Sequence, residues 1–248
     1  MPATSPTILA TSIGFDSRGR GPYDWAPGPV FDLAVELAGA PERPRLCHLG
    51  TATGDDPVRI AGVYGAFAGS RVQVSHLSLF PMPTVPDLRA HLLAQDVVWV
   101  GGGSVANLLA VWRVHGLDEV LAECWRAGVV LGGVSAGSLC WHVGGTTDSY
   151  GPDLRPVTDG LGLIPTSNGV HHDSEAQRRP LYHRLVADAR SRPATPPTTA
   201  QASSTVAPNS SRPSPTGRAR APTGSSAAPT APPWRPASSR GGSAEHRA

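Results

Sequence analysis

Apolar segments of strand length alternate with amphipathic segments of helical length from residue 7 to residue 134. Two of the strand-length segments, 96–103 (DVVWVGGG) and 129–134 (VVLGGV), are apolar apart from Asp96 at the start of the first, as strands covered on both faces are. Between them, residues 104–116 and 117–128 carry Leu and Val at helical spacing. This alternation predicts an α/β fold: a three-layer sandwich with a mostly parallel sheet between two layers of helices.

A serine flanked by small residues follows the apolar segment 129–134. The residues Gly133-Val134-Ser135-Ala136-Gly137 match G-x-S-x-G, which places a nucleophile on a sharp turn between a strand and a helix. Sites in parallel sheets form at the carboxyl ends of the strands, where Ser135 is expected. The pattern predicts that Ser135 is a nucleophile, and the alternative is a glycine-rich packing turn. His171 is the candidate base, although its short separation from the serine fits an α/β-hydrolase poorly.

The composition changes near residue 188. Residues 1–188 carry 13 Arg and 18 acidic residues, giving a charge of −5, whereas residues 189–248 carry 8 Arg and one Glu, giving +7. The second part contains no Leu, Ile, Phe, Tyr or Met, so it lacks the apolar surface that folding requires. We therefore predict an α/β domain over residues 1–188 and a disordered tail over 189–248. Scattered arginines without interleaved aromatic residues argue against a nucleic-acid-binding arm.

The tail has the features of a segment translated in a shifted reading frame. All 21 basic residues of the chain are Arg, as expected of a gene rich in G and C. When the reading frame of residues 194–211 is moved by one base, each new codon consists of an unconstrained first base and the first two bases of the next written codon. The shifted codons then permit the sequence GYATDDGAGLVYRGTELV, among others. Ser203-Ser204 and Ser210-Ser211 then each become a pair drawn from Phe, Leu, Ile and Val. We infer a frameshift just after Asp188, which would remove the last strands of the domain.

Three motifs occur in a fixed order: DVVWVGGGSVANLLAVW, AGVVLGGVSAGSLCW and TDGLGLIPTSNGVHHD. Together they resemble the peptidase E family of serine peptidases, family S51, which includes cyanophycinase, over about residues 7–188. The resemblance implies a flavodoxin-like sandwich akin to class I glutamine amidotransferase domains. It also implies an enzyme without metal or cofactor that hydrolyses short peptides, such as dipeptides with an N-terminal aspartate.

The resemblance implies a role for each residue that matches a family motif. Ser135 matches the nucleophile, and His171 matches the base, because residues 169–172 correspond to the family's Asn-Pro-His-aromatic segment. The backbone N–H groups of Gly103 and Ala136 match the oxyanion hole. These four residues form the catalytic set that the resemblance implies.

The acid that would orient the histidine is missing where the resemblance places it. That position falls in the tail at Thr198-Thr199-Ala200, where the shifted frame permits Asp-Asp-Gly. Asp173 and Glu175 are close to His171 in the sequence and are candidate substitutes, although ordinary surface acids would look the same. Two interpretations stay open: an active serine peptidase, and a catalytically impaired or inactive member of the family.

Two arginines after the histidine segment are candidate substrate-binding residues. Arg178 and Arg179 lie at the start of a predicted helix, and a guanidinium can bind an aspartyl carboxylate at two points. Solvated helix charges explain them equally well. The run His171-His172-Asp173 is a weak metal candidate, because adjacent side chains of an extended segment point to different sides and no second cluster has ligand spacing.

A dinucleotide-binding oxidoreductase is the alternative from another functional class. The residues Gly101-x-Gly103-x-x-Ala106 fit G-x-G-x-x-G/A, but that site also needs an acid at the end of a following strand. The acids at a suitable distance instead lie in a helical pattern: Asp118, Glu119 and Glu123.

The sequence carries no signal-peptide pattern and no segment of membrane-spanning length. Its three cysteines are an odd number without metal-ligand spacing, which favours a reducing compartment. We therefore expect a cytoplasmic enzyme with a small peptide substrate and no nucleic-acid or membrane partner. The sequence leaves the oligomeric state open.

Overall fold

The computed structural model describes Ala3, residues 5–171 and 175–190, and the pair 203–204, with side-chain detail through Ala187. All of them belong to one compact unit, residues 1–210; a second unit, residues 211–248, lies outside the described part. The strands in chain order are β1 (Thr7–Thr11), β2 (Phe15–Ser17), β3 (Trp25–Pro27), β4 (Arg45–Leu49), β5 (Gln73–Leu77), β6 (Val97–Val100), β7 (Val130–Val134), β8 (His142–Thr147), β9 (Arg155–Val157), β10 (Ile164–Asn168) and β11 (Ser203–Ser204).

The helices connect the strands and begin at residues that suit a helix N-terminus. Asp56 and Ser104, for example, accept hydrogen bonds with their side chains from the backbone N–H groups of Val58 and Asn107. In chain order the helices are α1 (Pro29–Leu37), α2 (Pro57–Phe67), α3 (Leu88–Leu93), α4 (Val105–Val114), α5 (Leu117–Arg126), α6 (Ala136–Leu139) and α7 (Arg178–Arg190). None of the helices in the described residues is long and apolar enough to cross a membrane.

The central sheet has six strands in the order β11-β1-β7-β6-β4-β5, and all of its neighbours are parallel. Side chains alternate between its faces, so that Val97 and Trp99 of β6 pack with α1 and α2, whereas Val98 and Val100 pack with α4 and α5. Two buried apolar clusters therefore lie on opposite faces of one sheet. This is the predicted three-layer α/β sandwich, and the prediction is confirmed.

Two smaller sheets lie outside the pattern that the sequence revealed. β2 and β3 form an antiparallel hairpin after β1, and β8 pairs with β9 and β10 after the short helix α6. The β8 glycines explain why periodicity does not indicate this sheet. A Cβ atom at Gly144 would clash with the carbonyl oxygen of Val157, and one at Gly145 would clash with that of Asn168. Close backbone approach, rather than alternating side chains, marks this strand.

A two-residue strand, β11, pairs with β1 at the outer edge of the central sheet. The sequence as written predicts no strand in the tail, so this pairing is a difference from expectation. Its physical basis is the backbone, because an edge strand such as β1 offers unpaired N–H and C=O groups to any extended segment. The remainder of the tail, residues 191–202 and 205–248, lies outside the described residues, so its predicted disorder stays a prediction.

Candidate active site

Ser135 occupies the turn between β7 and α6 in a conformation that few side chains adopt. Its φ is 56° and its ψ is −114°, and it directly precedes the first helical residue, Ala136. A non-glycine residue with positive φ is strained and persists only where the surrounding structure holds it. The turn therefore presents the Ser135 hydroxyl at the carboxyl end of the sheet, as the G-x-S-x-G pattern predicts.

The two glycines of the motif let the turn pack against the sheet. A Cβ atom at Gly137 would lie 2.7 Å from the carbonyl carbon of Val100 in β6, and one at Gly133 would lie 2.7 Å from the Val100 oxygen. Either contact is far shorter than van der Waals separation. The turn can therefore lie this close to β6 only with glycine at both positions.

His171 lies within hydrogen-bonding distance of the serine. The Ser135 Oγ and His171 Nε2 atoms are 2.8 Å apart. With its proton on Nδ1, the imidazole accepts the serine hydroxyl hydrogen at Nε2, which is the arrangement a general base requires. The structure thus brings together the two residues that the sequence predicts as nucleophile and base.

A side-chain hydrogen bond that the sequence analysis missed ties the histidine segment to the serine helix. The Asn168 Nδ2 group, at the end of β10, donates to the Ser138 Oγ atom of α6 at 2.9 Å. Val170 beside it is buried at 4% exposure. His171 follows these two anchors directly. The only sequence signal for Asn168 is its place three residues before the histidine.

The predicted oxyanion donors are Gly103, in the glycine loop after β6, and Ala136, in the turn that carries Ser135. Gly103 follows β6 and is exposed, with φ 144°, and a Cβ atom there would lie 2.8 Å from the carbonyl carbon of Ala52. Ala136 is the first residue of α6, so its N–H has no acceptor within the helix. A Cβ atom at Gly102 would lie 3.2 Å from the Ser135 Cβ atom, so the glycine loop passes beside the serine.

A cavity of about 410 Å³, here called the hairpin cavity, opens beside this loop. Gly102 and Val134 connect it to the serine, although Ser135 and His171 are not among its lining residues. The β2–β3 hairpin supplies Trp25, among others, to its wall, and α2 and β4 supply Arg59 and His48. Its volume lies in the range of small-ligand sites.

Residues 29–196 match the family model of peptidase family S51. The chain belongs to this family. It is 44% identical over 173 residues to the uncharacterized peptidase YgaJ of Bacillus subtilis (strain 168), covering 69% of this chain and 74% of YgaJ. It is 30% identical over 133 residues to peptidase E of Streptomyces coelicolor (strain ATCC BAA-471 / A3(2) / M145), covering 53% of each. The predicted family and hydrolase class are therefore confirmed.

The S51 fold is also found among solved structures. The chain aligns with a 1.5 Å crystal structure of a protein assigned as a peptidase E from Listeria monocytogenes EGD-e. The TM-score is 0.50 at 16% identity, with 73% of this chain and 85% of the other covered. At this identity the alignment shows the fold alone, in agreement with the sandwich described above.

The two candidate substrate-binding arginines have different surroundings in this protein. Arg178 is 3% exposed and its guanidinium is occupied, since it donates to the Glu175 carboxylate at 2.6 Å and to the Thr146 carbonyl oxygen at 2.9 Å, and lies 3.4 Å from an Asp148 oxygen. Arg179 is exposed on the next position of α7. Arg178 thus has a structural set of partners that the sequence did not indicate.

Of the two candidate acids that could orient His171, the structure describes only Glu175. Glu175 binds Arg178 with its carboxylate, while its backbone N–H donates to the His171 carbonyl oxygen at 3.1 Å. Asp173 lies outside the described residues, as do His172 and the tail positions 198–200. The identity of the group that orients His171 therefore stays a prediction.

Three other kinds of site were candidates in this protein: a cysteine nucleophile, a dinucleotide-binding site and a metal site. Burial raises the pKa of the Cys140 thiol well above its ordinary value, and its Sγ atom packs on the Gly137 carbonyl oxygen, so it is a packing residue. Asp118 and Glu119 lie in the first turn of α5 rather than at a strand end, so the dinucleotide pattern lacks its acid. No group of three or more His, Cys, Asp or Glu side chains within the described residues could hold a metal ion.

His48 is a buried imidazole in the wall of the hairpin cavity. It is 5% exposed, and burial lowers its pKa to about 4, with smaller contributions from His76 and Arg59. Its buried Nδ1 atom has no hydrogen-bond partner among the described residues. His48 is therefore neutral at physiological pH and costs folding free energy when it is protonated.

We expect this imidazole to make stability fall in weakly acidic solution. The folded-state pKa of about 4 lies below the ordinary 6.5, so the unfolded chain binds more protons between these values and stability decreases as pH drops through that window. From pH 7.5 to pH 5 the His48 contribution is about 2 kcal/mol. Urea unfolding of wild type and His48→Gln at both pH values measures it. Equal losses in the two proteins would contradict the expectation.

Proposed function

We propose that this S51 chain is a serine peptidase that hydrolyses short peptides with Ser135 as nucleophile and His171 as base. The observation that carries the proposal is the 2.8 Å separation of the Ser135 Oγ and His171 Nε2 atoms, with the serine held on a strained turn at the carboxyl end of the sheet. Nucleophile, base and turn geometry together make an acyl-transfer site.

The geometry supports a two-step hydrolysis. The Ser135 Oγ atom attacks the scissile carbonyl carbon while its proton passes to His171 Nε2, and the carbonyl oxygen gains negative charge. The N–H groups of Gly103 and Ala136 bind this oxyanion. His171 then protonates the leaving amine, and an acyl-serine remains. Water, deprotonated by His171, releases the acid product and restores the serine.

Dipeptides with an N-terminal aspartate are the substrates we propose. Peptidase E of Streptomyces coelicolor is a relative at 30% identity, and the hairpin cavity beside Ser135 has room for a small peptide. No metal or cofactor enters the proposed reaction, since the serine and histidine supply both the nucleophile and the proton transfers.

A catalytically impaired chain is the alternative, and the orienting acid decides between the two. Loss of that acid from a Ser-His-acid triad lowers kcat by about 10⁴-fold. The carboxylate of Glu175 is engaged by Arg178, which disfavours it as a substitute. The strand at Ser203–Ser204 coincides with the first pair of residues that become apolar in the shifted frame, where the frameshift interpretation places a strand.

Release of p-nitroaniline from an aspartyl anilide tests the proposal. We expect a version with one base restored after codon 188 to cleave at least 10³-fold faster than the chain as written, because restoration returns both the acid and the closing strands. Ser135→Ala in each version is the blank.

The outcomes separate the alternatives. Cleavage by the restored version alone supports the peptidase and the frameshift together. Equal cleavage by both versions supports the peptidase but contradicts the loss of the acid, and Asp173→Asn would then test the remaining substitute. Absence of cleavage in both, with a folded protein, would overturn the aspartyl specificity and direct the search to other short peptides.

A further inference from the structure

Arg59 is a cation in the wall of the hairpin cavity, and no carboxylate among the described residues forms a salt bridge with it. It lies in the first turn of α2, is half-buried, and forms no salt bridge within the described residues. The arginines that do form salt bridges there have nearby Asp or Glu partners: Arg20, Arg45, Arg89, Arg113 and Arg178. A partly desolvated guanidinium stays charged, so an unpaired one beside a cavity favours binding of an anion.

The side chain of Arg59 is held in position by the hairpin. Its guanidinium carbon lies 5.1 Å from the centre of the Tyr23 ring. Tyr23 is itself held by close packing. Its φ is 60°, and a Cβ atom at Gly62 of α2 would lie 2.7 Å from the Tyr23 carbonyl oxygen. The hairpin therefore packs directly against α2 at Gly62. A cation stacked on a fixed aromatic ring is already oriented before a ligand arrives.

The other polar groups of the cavity leave this charge available. His48 is neutral at physiological pH, because burial lowers its pKa, and therefore adds no second positive charge. Asp16 also lines the cavity, but it is exposed on β2 and forms no salt bridge with Arg59. A ligand carboxylate would therefore find one cation and a neutral imidazole on the α2 and β4 side.

The cavity also lies where a substrate side chain would extend. Gly102 belongs both to the cavity wall and to the loop against Ser135, and a Cβ atom there would lie 3.8 Å from the Ser135 Oγ atom. A substrate carbonyl at Ser135 can thus direct an adjoining side chain past Gly102 into the cavity.

We infer that Arg59 binds the carboxylate of an acidic substrate residue, which makes it the specificity-determining residue of this site. The inference rests on the proposed peptidase function. It predicts that the preference for aspartate over asparagine, its neutral isostere, depends on the Arg59 guanidinium.

Arg59→Met tests this role with paired substrates. In the version of the chain that cleaves, we expect kcat/KM for aspartyl p-nitroanilide to fall about 10- to 100-fold, the usual effect of a lost charge-assisted hydrogen bond. The value for asparaginyl p-nitroanilide should stay within about threefold. Arg155→Met is the matched control, because Arg155 also stacks on a tyrosine, 5.8 Å from the Tyr150 ring, but does not line the cavity. An unchanged preference, or an equal loss on both substrates, would overturn the inference.

Binding separates this inference from the proposed hydrolysis. Trp25 and Trp99 line the cavity, so their fluorescence reports a bound peptide in the Ser135→Ala variant without turnover. We expect Asp-Leu to bind at least 10-fold more tightly than Asn-Leu, and the difference to disappear when Arg59→Met is added. If no peptide is cleaved but this difference is found, the peptidase proposal fails and the Arg59 assignment stands. If the two peptides bind equally, the Arg59 assignment fails whatever the activity.

Discussion

Ser135→Ala is expected to lower kcat/KM for the cleaved aspartyl substrate by about 10⁴-fold or more, because it removes the atom that forms the acyl bond. The Ser135 Oγ atom lies 2.8 Å from His171 Nε2, and alanine leaves the histidine without a nucleophile to deprotonate. The thermal transition should change little, since the hydroxyl is half-buried and serves no helix as a side-chain cap. Progress curves with purified protein measure the effect.

Ser138→Ala is the matched control for this loss. Ser138 lies on the same short helix, but its Oγ atom accepts a hydrogen bond from Asn168 instead of contacting the histidine. We expect less than about a 10-fold decrease in kcat/KM, since only the anchoring of β10 is weakened. A fluorophosphonate reagent gives an independent readout, because the Oγ–P bond forms with loss of fluoride even where later hydrolysis is slow. Activity within 10-fold of wild type for Ser135→Ala, or labelling at another residue, would contradict the assignment.

Gly137→Ala is expected to destabilise the fold by about 3 kcal/mol or more, which lowers Tm by roughly 6–12 °C for a domain of this size. The added Cβ atom would clash with the Val100 carbonyl oxygen and lie 2.7 Å from its carbon. Both are backbone atoms of a strand that is buried on both faces, so neither can move without disturbing the sheet. Activity should fall with stability, because the same turn carries Ser135.

Gly65→Ala provides the opposite case in the same protein. Gly65 lies inside α2, and a Cβ atom built there meets nothing within 4 Å. Alanine is the better helix former, so this substitution should stabilise the fold by about 0.5–1 kcal/mol. Urea unfolding of both variants at pH 7.5 compares them. A Gly137→Ala protein within about 1 kcal/mol of wild type would show that the turn is more adaptable than its contacts indicate.

The parts of the fold that could be predicted are those in which one segment carries its own signal. Residues 97–100 are apolar at every position because β6 is covered on both faces, and the spacing in 117–126 matches the helix α5. β2, β3 and β8 escaped prediction because the first two have three residues each and β8 contains paired glycines. Strands that are this short, or that contain this much glycine, carry too few side chains to show a local period.

The candidate site likewise has features that the sequence predicted and features that it did not. The small residues around Ser135 predict a tight turn, because only glycine allows the backbone contacts that the turn makes. The sequence offered Arg178 and Arg179 as candidate substrate ligands beside the alternative of solvated helix charges, and in the structure the Arg178 guanidinium contacts Glu175, Thr146 and Asp148 instead. Nothing in the spacing of Arg59 distinguished it from a solvated helix charge.

The sequence by itself determined the parallel sheet, the strand-to-helix turn at Ser135 and the family, because periodicity and small-residue motifs are properties of contiguous residues. Only the tertiary structure decided that His171 lies 2.8 Å from that serine, and that the hairpin, α2 and β4 enclose one cavity. The physical reason is that these groups are separated by tens of residues along the chain. They meet only because strand order and the close packing of glycine backbones fix where each segment lies.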